Sequence, residues 1–162
     1  MGAMSLVACN QEKKQVEDTF NYTVEQFADL QLLRFKVHGF EELPLKQKEL
    51  VYYLSEAALH GRDILFDQNG KYNLIIRKML EVVYTDYQGD RSDANFKNFE
   101  TYLKRVWFSN GIHHHYAADK FVPGFTPEFF KSALESVDAS KLPLMEGETL
   151  DALCKEVFPV IF

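Results

Sequence analysis

A chain of 162 residues with 46% hydrophobic content is long enough to fold around a core, and 8 Gly with 5 Pro are too few for a turn-rich β-sandwich or a disordered polymer. A formal net charge of -6 gives no general electrostatic pull toward nucleic acid, so no nucleic-acid partner is expected. Two cysteines do not make a disulfide framework, and the expected fold class is all-α or mostly α, a compact bundle-like domain of several helices.

The first twenty residues read as a tail. Within it Leu6-Val7-Ala8-Cys9 resembles a bacterial lipobox, with polar residues from Asn10 to Glu17 directly after the cysteine. On that reading Cys9 carries a lipid, the natural start lies further upstream, and the protein sits at the bacterial cell envelope. The alternative is a plain tail on a cytoplasmic protein. No later apolar run approaches a membrane-spanning length, so any membrane contact is expected through Cys9 alone.

Thr23 reads as an N-cap with Gln26 completing a capping box. Phe27, Leu30, Leu33 and Val37 then keep helical spacing up to Gly39. Pro44 opens a second helix whose face is Leu50, Tyr53, Leu54, Ala57 and Ala58, continuing past Gly61 toward Leu65 and Phe66. Asp67-Gln68-Asn69-Gly70 reads as a helix–helix turn, and a third helix follows from Lys71 to Tyr84, striped by Leu74, Ile75, Met79, Val82 and Val83. Asp93 caps a fourth helix with Phe96, Phe99, Tyr102, Leu103, Val106 and Trp107 on its apolar side, a spacing that points to core. The helical pattern is lost from Ser109 to Pro123. Thr126 and Pro127 then open a short helix with Phe129, Phe130, Ala133 and Leu134 inward. After the linker Lys141 to Leu144, a last helical pattern spans about Thr149 to Val157, with Cys154 on it as a buried free thiol. The apolar ending Val157 to Phe162 reads as a cut through a longer chain.

Chemistry concentrates in Trp107-Phe108-Ser109-Asn110-Gly111-Ile112-His113-His114-His115-Tyr116. Consecutive side chains point apart in extended structure, so three adjacent histidines rarely reach one metal; no metal site is expected here. Imidazoles, the Asn110 amide and the Tyr116 hydroxyl do offer donors and acceptors to a peptide backbone. The competing reading is a packing loop whose histidines cap helix ends. The chain has no H-E-x-x-H, no G-x-S-x-G, no P-loop and no G-x-G-x-x-G.

The segment from Trp107 to Pro123, with its Lys120-Phe121-Val122-Pro123 ending, resembles the N-terminal region of dipeptidyl peptidase III, the M49 zinc metallopeptidases. Tyr52-Tyr53-Leu54-Ser55-Glu56-Ala57-Ala58 and Gly61-Arg62-Asp63-Ile64 are similar to the bacterial branch, and the resemblance covers roughly residues 20–162. It implies a two-lobed enzyme that removes dipeptides from peptide N-termini, with zinc on an H-E-x-x-G-H helix and a downstream E-E-x-R/K helix. Neither motif is in this chain, since Glu41-Glu42-Leu43-Pro44 lacks the basic residue. The resemblance therefore implies a non-catalytic N-terminal part of the lower lobe. Zinc would belong to the full-length enzyme, with none bound by this part. Its partners would be the peptide substrate and the C-terminal remainder of the same chain. Asn110, His113, His114, His115 and Tyr116 would line one wall of the cleft, with Tyr116 in the place of a cleft-wall aromatic. The histidine run departs from the eukaryotic pattern and is one residue shorter. The alternative function is a stand-alone helical peptide- or metal-binding module of the cell envelope.

Overall fold

The computed structural model describes residues 19–162, and Cys9 lies outside them. The chain divides into two compact units, Met1–His38 and Gly39–Phe162.

The described part of the first unit is a β-hairpin, which corrects the helix expected from Thr23 to Val37. Strand β1 (Thr23–Phe27) pairs antiparallel with β2 (Leu30–Leu33), matching Phe27 with Leu30 and Thr23 with Leu33 across a bulge between Thr23 and Glu25. The misreading has a geometric cause. Two residues that flank a two-residue turn are three apart in sequence, so Phe27 and Leu30 have helical spacing while facing each other across the hairpin. Ala28 takes the left-handed conformation at the turn, with φ 49°. Thr23 caps no helix; its hydroxyl accepts from Gln31 Nε2 at 2.9 Å. Tyr22, Thr23 and Val24 are strand-favouring types, the signal that should have outweighed the three-residue spacing.

The second unit is mostly helical. Gly39, with φ 81°, leads into a 3₁₀ turn at Phe40–Glu42. Helix α1 (Leu45–His60) follows Pro44 and α2 (Arg62–Asn69) follows Gly61. The face expected on α1 is not core: Leu50, Tyr53 and Leu54 are exposed, and α1 has no buried residue. Phe66 on α2 is buried.

Helix α3 (Asn73–Asp86) buries Ile76, Met79, Leu80 and Val83, so its inward stripe is rotated from the expected one and leaves Leu74, Ile75 and Val82 half-buried. Helix α4 (Ala94–Ser109) is capped by Asp93, which accepts from Asn95 N at 2.8 Å. Phe96, Phe99, Tyr102, Leu103 and Val106 are buried as their spacing predicts. Trp107 is 38% exposed and donates Nε1–H to Glu81 Oε1 at 2.8 Å. Burial raises the Tyr102 phenol above its ordinary range, because ionisation would put a charge among apolar groups.

Helix α5 (Pro127–Glu135) is capped by Thr126, whose Oγ1 accepts from Phe129 N at 3.1 Å. Helix α6 (Leu150–Ile161) runs four residues past the expected end, through Pro159. Packing overrides the helix breaker: Phe158 stacks on Phe130 at 5.6 Å, and Phe162 sits edge-on to Phe125 at 5.7 Å. Cys154 on α6 is a buried free thiol, and burial pushes its pKa up. No helix among the described residues is long and apolar enough to cross a membrane.

Ion pairs bind helices to their surroundings. Arg77 on α3 donates to Asp63 on α2 at 2.7 Å, and Lys141 donates to Asp86 at 2.6 Å. Each hydrogen bond holds its aspartate below the ordinary value of 3.8. A carboxylate lowered by folding contributes stability above its unfolded pKa, and that contribution is lost as pH falls through the folded value. We expect unfolding midpoints to decline as pH drops below about 4. Asp86→Asn should flatten that decline in urea titrations; a slope identical to that of the parent protein would overturn the assignment.

Candidate functional site

The loop after α4 is shaped by its first residues. Asn110 ends the helix in the left-handed conformation (φ 53°, ψ 38°), which asparagine tolerates better than most residues. Gly111 comes next because no side chain fits there: a Cβ would lie 2.5 Å from Asn73 Nδ2. Asn73, at the start of α3, is 3% exposed, and its Oδ1 accepts the Ile112 N–H at 3.3 Å. Asn69, at the end of α2, donates Nδ2–H to the Asn110 carbonyl at 3.2 Å. Two asparagines from the α2–α3 corner thus fasten the loop by its backbone. Buried Ile112 anchors it from below.

Beyond Ile112 the chain folds back on itself. His114 N donates to Asp119 O, and Phe121 N donates to Ile112 O, both at 2.8 Å. His113 forms an isolated antiparallel bridge with Lys120. Lys120 reaches α6, donating Nζ–H to the Val160 carbonyl at 3.2 Å. The Lys120 to Pro123 segment therefore acts as a strap from the loop to α6.

The rings stack along the loop. His114 and His115 are nearly parallel at 4.5 Å, His115 meets Tyr116 at 4.2 Å, and Phe108 sits edge-on to His115 at 4.9 Å. Tyr116 N donates to His114 Nδ1 at 3.2 Å. That bond makes Nδ1 the acceptor and leaves Nε2 as the protonated nitrogen of a neutral His114.

The loop and the α2–α3 corner border a partly open cavity of about 510 Å³. Four of the five residues expected to bind substrate line it: Asn110, His113, His114 and His115. Tyr116 does not. It is 89% exposed and stands outside the cavity beside His115. The cavity also takes in Asn69, Asn73 and Ser109, which sequence reading missed. Asn69 had shown only as a turn residue. Asn73 and Ser109 lie at helix ends, where apolar periodicity carries no sign of a buried polar group. Ser109 is 6% exposed and its Oγ has no hydrogen-bond partner. Aspartate, glutamate, lysine and arginine do not contribute to the lining.

Among the described residues no group of three His, Cys, Asp or Glu side chains is placed to hold a metal ion. The residues present do not fit the zinc centre of the resembled enzymes. The arrangement can bind: it offers backbone, carboxamide and imidazole groups around a partly open recess.

The fold and site define a mostly helical domain whose post-α4 loop borders a polar cavity. Comparison with known proteins finds no matching family model and no matching curated protein.

Proposed function

We propose that this chain forms a peptide-binding wall, the non-catalytic N-terminal part of a two-lobed zinc dipeptidyl peptidase like those it resembles. One observation supports the reading: Asn110, His113, His114 and His115, whose side chains offer donors and acceptors to a peptide, gather around one cavity in a loop held from three helices. A loop fixed in this way on a helical scaffold positions a ligand without ordering itself on binding. The chain supplies orientation, and the bond-breaking groups of the whole enzyme would come from residues outside it.

Short peptides with a free amino terminus should perturb the NMR resonances of Asn110 to His115, and His114→Ala should weaken that binding several-fold. Perturbations confined to other surfaces would overturn the reading. The pure chain with added zinc should release no dipeptides; robust zinc-dependent release would refute the non-catalytic assignment. The coding sequence of the intact protein tests the larger context. A downstream H-E-x-x-G-H followed by E-E-x-R/K supports it, and a gene without them removes it.

A further inference from the structure

The cavity beside the post-α4 loop is lined by three imidazoles and by no carboxylate. His113, His114 and His115 meet the carboxamides of Asn69, Asn73 and Asn110 there. Imidazole is the side chain that gains a charge between pH 8 and pH 5. A proton taken up by this lining has no carboxylate of the lining to pair with, so the recess as built lacks an anion.

The three rings are not equivalent. His114 Nδ1 already accepts from Tyr116 N at 3.2 Å, so charging His114 costs that bond, and its Nε2–H remains a neutral donor. His114 and His115 lie nearly parallel at 4.5 Å, so two charged rings there would repel. His113 and His115 are exposed, and among the described residues no hydrogen bond engages their ring nitrogens. These two are the rings that can take a proton without losing a contact.

We infer that this cavity is an anion subsite for a carboxylate, presented by a peptide as an acidic side chain or as its C-terminal end, with His113 and His115 as specificity-determining residues. The inference rests on the reading of the loop as a peptide wall and adds which group the wall selects.

The lining chooses between ligand classes. An ionised carboxylate only accepts, and it meets imidazolium N–H groups in charge-assisted bonds about twice as strong as neutral ones. A carboxamide can use the same donors without the charge. An ammonium group only donates and would face rings of its own sign. Charges nearby leave this intact. Asp119 is exposed and outside the lining, and Lys120 Nζ is turned to the Val160 carbonyl on α6. The α2–α3 corner contributes Asn69 and Asn73, and the end of α4 contributes Ser109, none of them charged. The attraction is present in mild acid, where carboxylates are ionised and imidazoles protonated, and it is lost as rising pH discharges the imidazoles.

The test uses the whole chain and tetra-alanine amides carrying Glu or Gln at one position, each position tried in turn, beside tetra-alanine with a free C-terminal carboxylate and its amide. NMR titration follows binding at about pH 5.5 and about pH 8, values that bracket ordinary imidazole protonation. At the lower pH a carboxylate peptide should bind about tenfold more tightly than its neutral counterpart, and at the higher pH about equally. Whichever carboxylate shows the preference, side chain or chain end, is the one the subsite takes. The H113Q/H115Q variant keeps polar side chains that cannot charge, and it should bind both peptides of each pair alike at both pH values. A parent protein that binds both peptides of each pair alike at both pH values overturns the subsite while leaving the peptide wall standing. A preference that ignores pH, or that survives in H113Q/H115Q, overturns the role of the histidines. Because the pH dependence is read on the parent protein, the subsite stays testable even where the variant fails to fold. No peptide binding at the loop overturns both readings.

Discussion

Replacing Phe99 with alanine should destabilise the helical unit by about 3–5 kcal/mol and lower its thermal midpoint by roughly 10–20 °C. Phe99 is fully buried on α4, with Phe96 and Phe125 at 5.6 Å, Phe130 at 6.0 Å and Phe129 at 6.4 Å between ring centroids. Truncation removes the transfer free energy of the ring and leaves a void edged by four other rings. Planar rings tied to three separate segments cannot collapse into such a space without losing their own edge contacts. The penalty therefore belongs at the upper end of core truncations. Urea unfolding of the parent and variant proteins measures it, and a loss below about 1 kcal/mol would mean that the aromatic cluster is not the centre of the core.

The second large effect is expected at Gly111, where alanine should cost about 1–3 kcal/mol and loosen the loop that bounds the cavity. Its Cβ would lie 2.5 Å from Asn73 Nδ2 and 2.9 Å from Asn73 Cγ. The amide has little room to retreat: a Cβ built on Gly70 would lie 2.9 Å from the same nitrogen, so two glycines make the slot that holds it. Moving Asn73 also breaks its bond to Ile112 N and leaves a buried N–H unpaired. Hydrogen exchange at Ile112 should accelerate in Gly111→Ala. A double-mutant cycle isolates the cause, because Asn73→Ala removes the obstructing amide and should shrink the cost of Gly111→Ala. Equal costs in both backgrounds would show that the clash is not the reason glycine sits there.

Local features of this chain were legible in its residues. Asp93 and Thr126 cap the helices that their positions predict, because a cap needs only a side-chain oxygen two or three residues before a free N–H. The buried stripe from Phe96 to Val106 follows from helical period alone. The loss of that period after Ser109, together with the histidine run, marked the loop that borders the cavity.

Other features depend on partners distant in sequence. The residues from Thr23 to Leu33 carry a spacing common to helix and hairpin, and cross-strand pairing decided between them. Pro159 argues for an end to α6, yet aromatic packing on α5 and on Phe125 carries the helix past it. The apolar residues of α1 suggest a packed face and are exposed.

What the sequence alone determined is the helical character of the second unit, most of its inward residues and the position of the histidine loop. Only the tertiary structure decided that Asn69, Asn73 and Ser109 share a cavity with that loop, and that Tyr116 stands outside it. The physical reason is range: caps and periodicity act over one or two turns, whereas the bond from Asn69 to Asn110 spans 41 residues and exists only when the α2–α3 corner meets the end of α4.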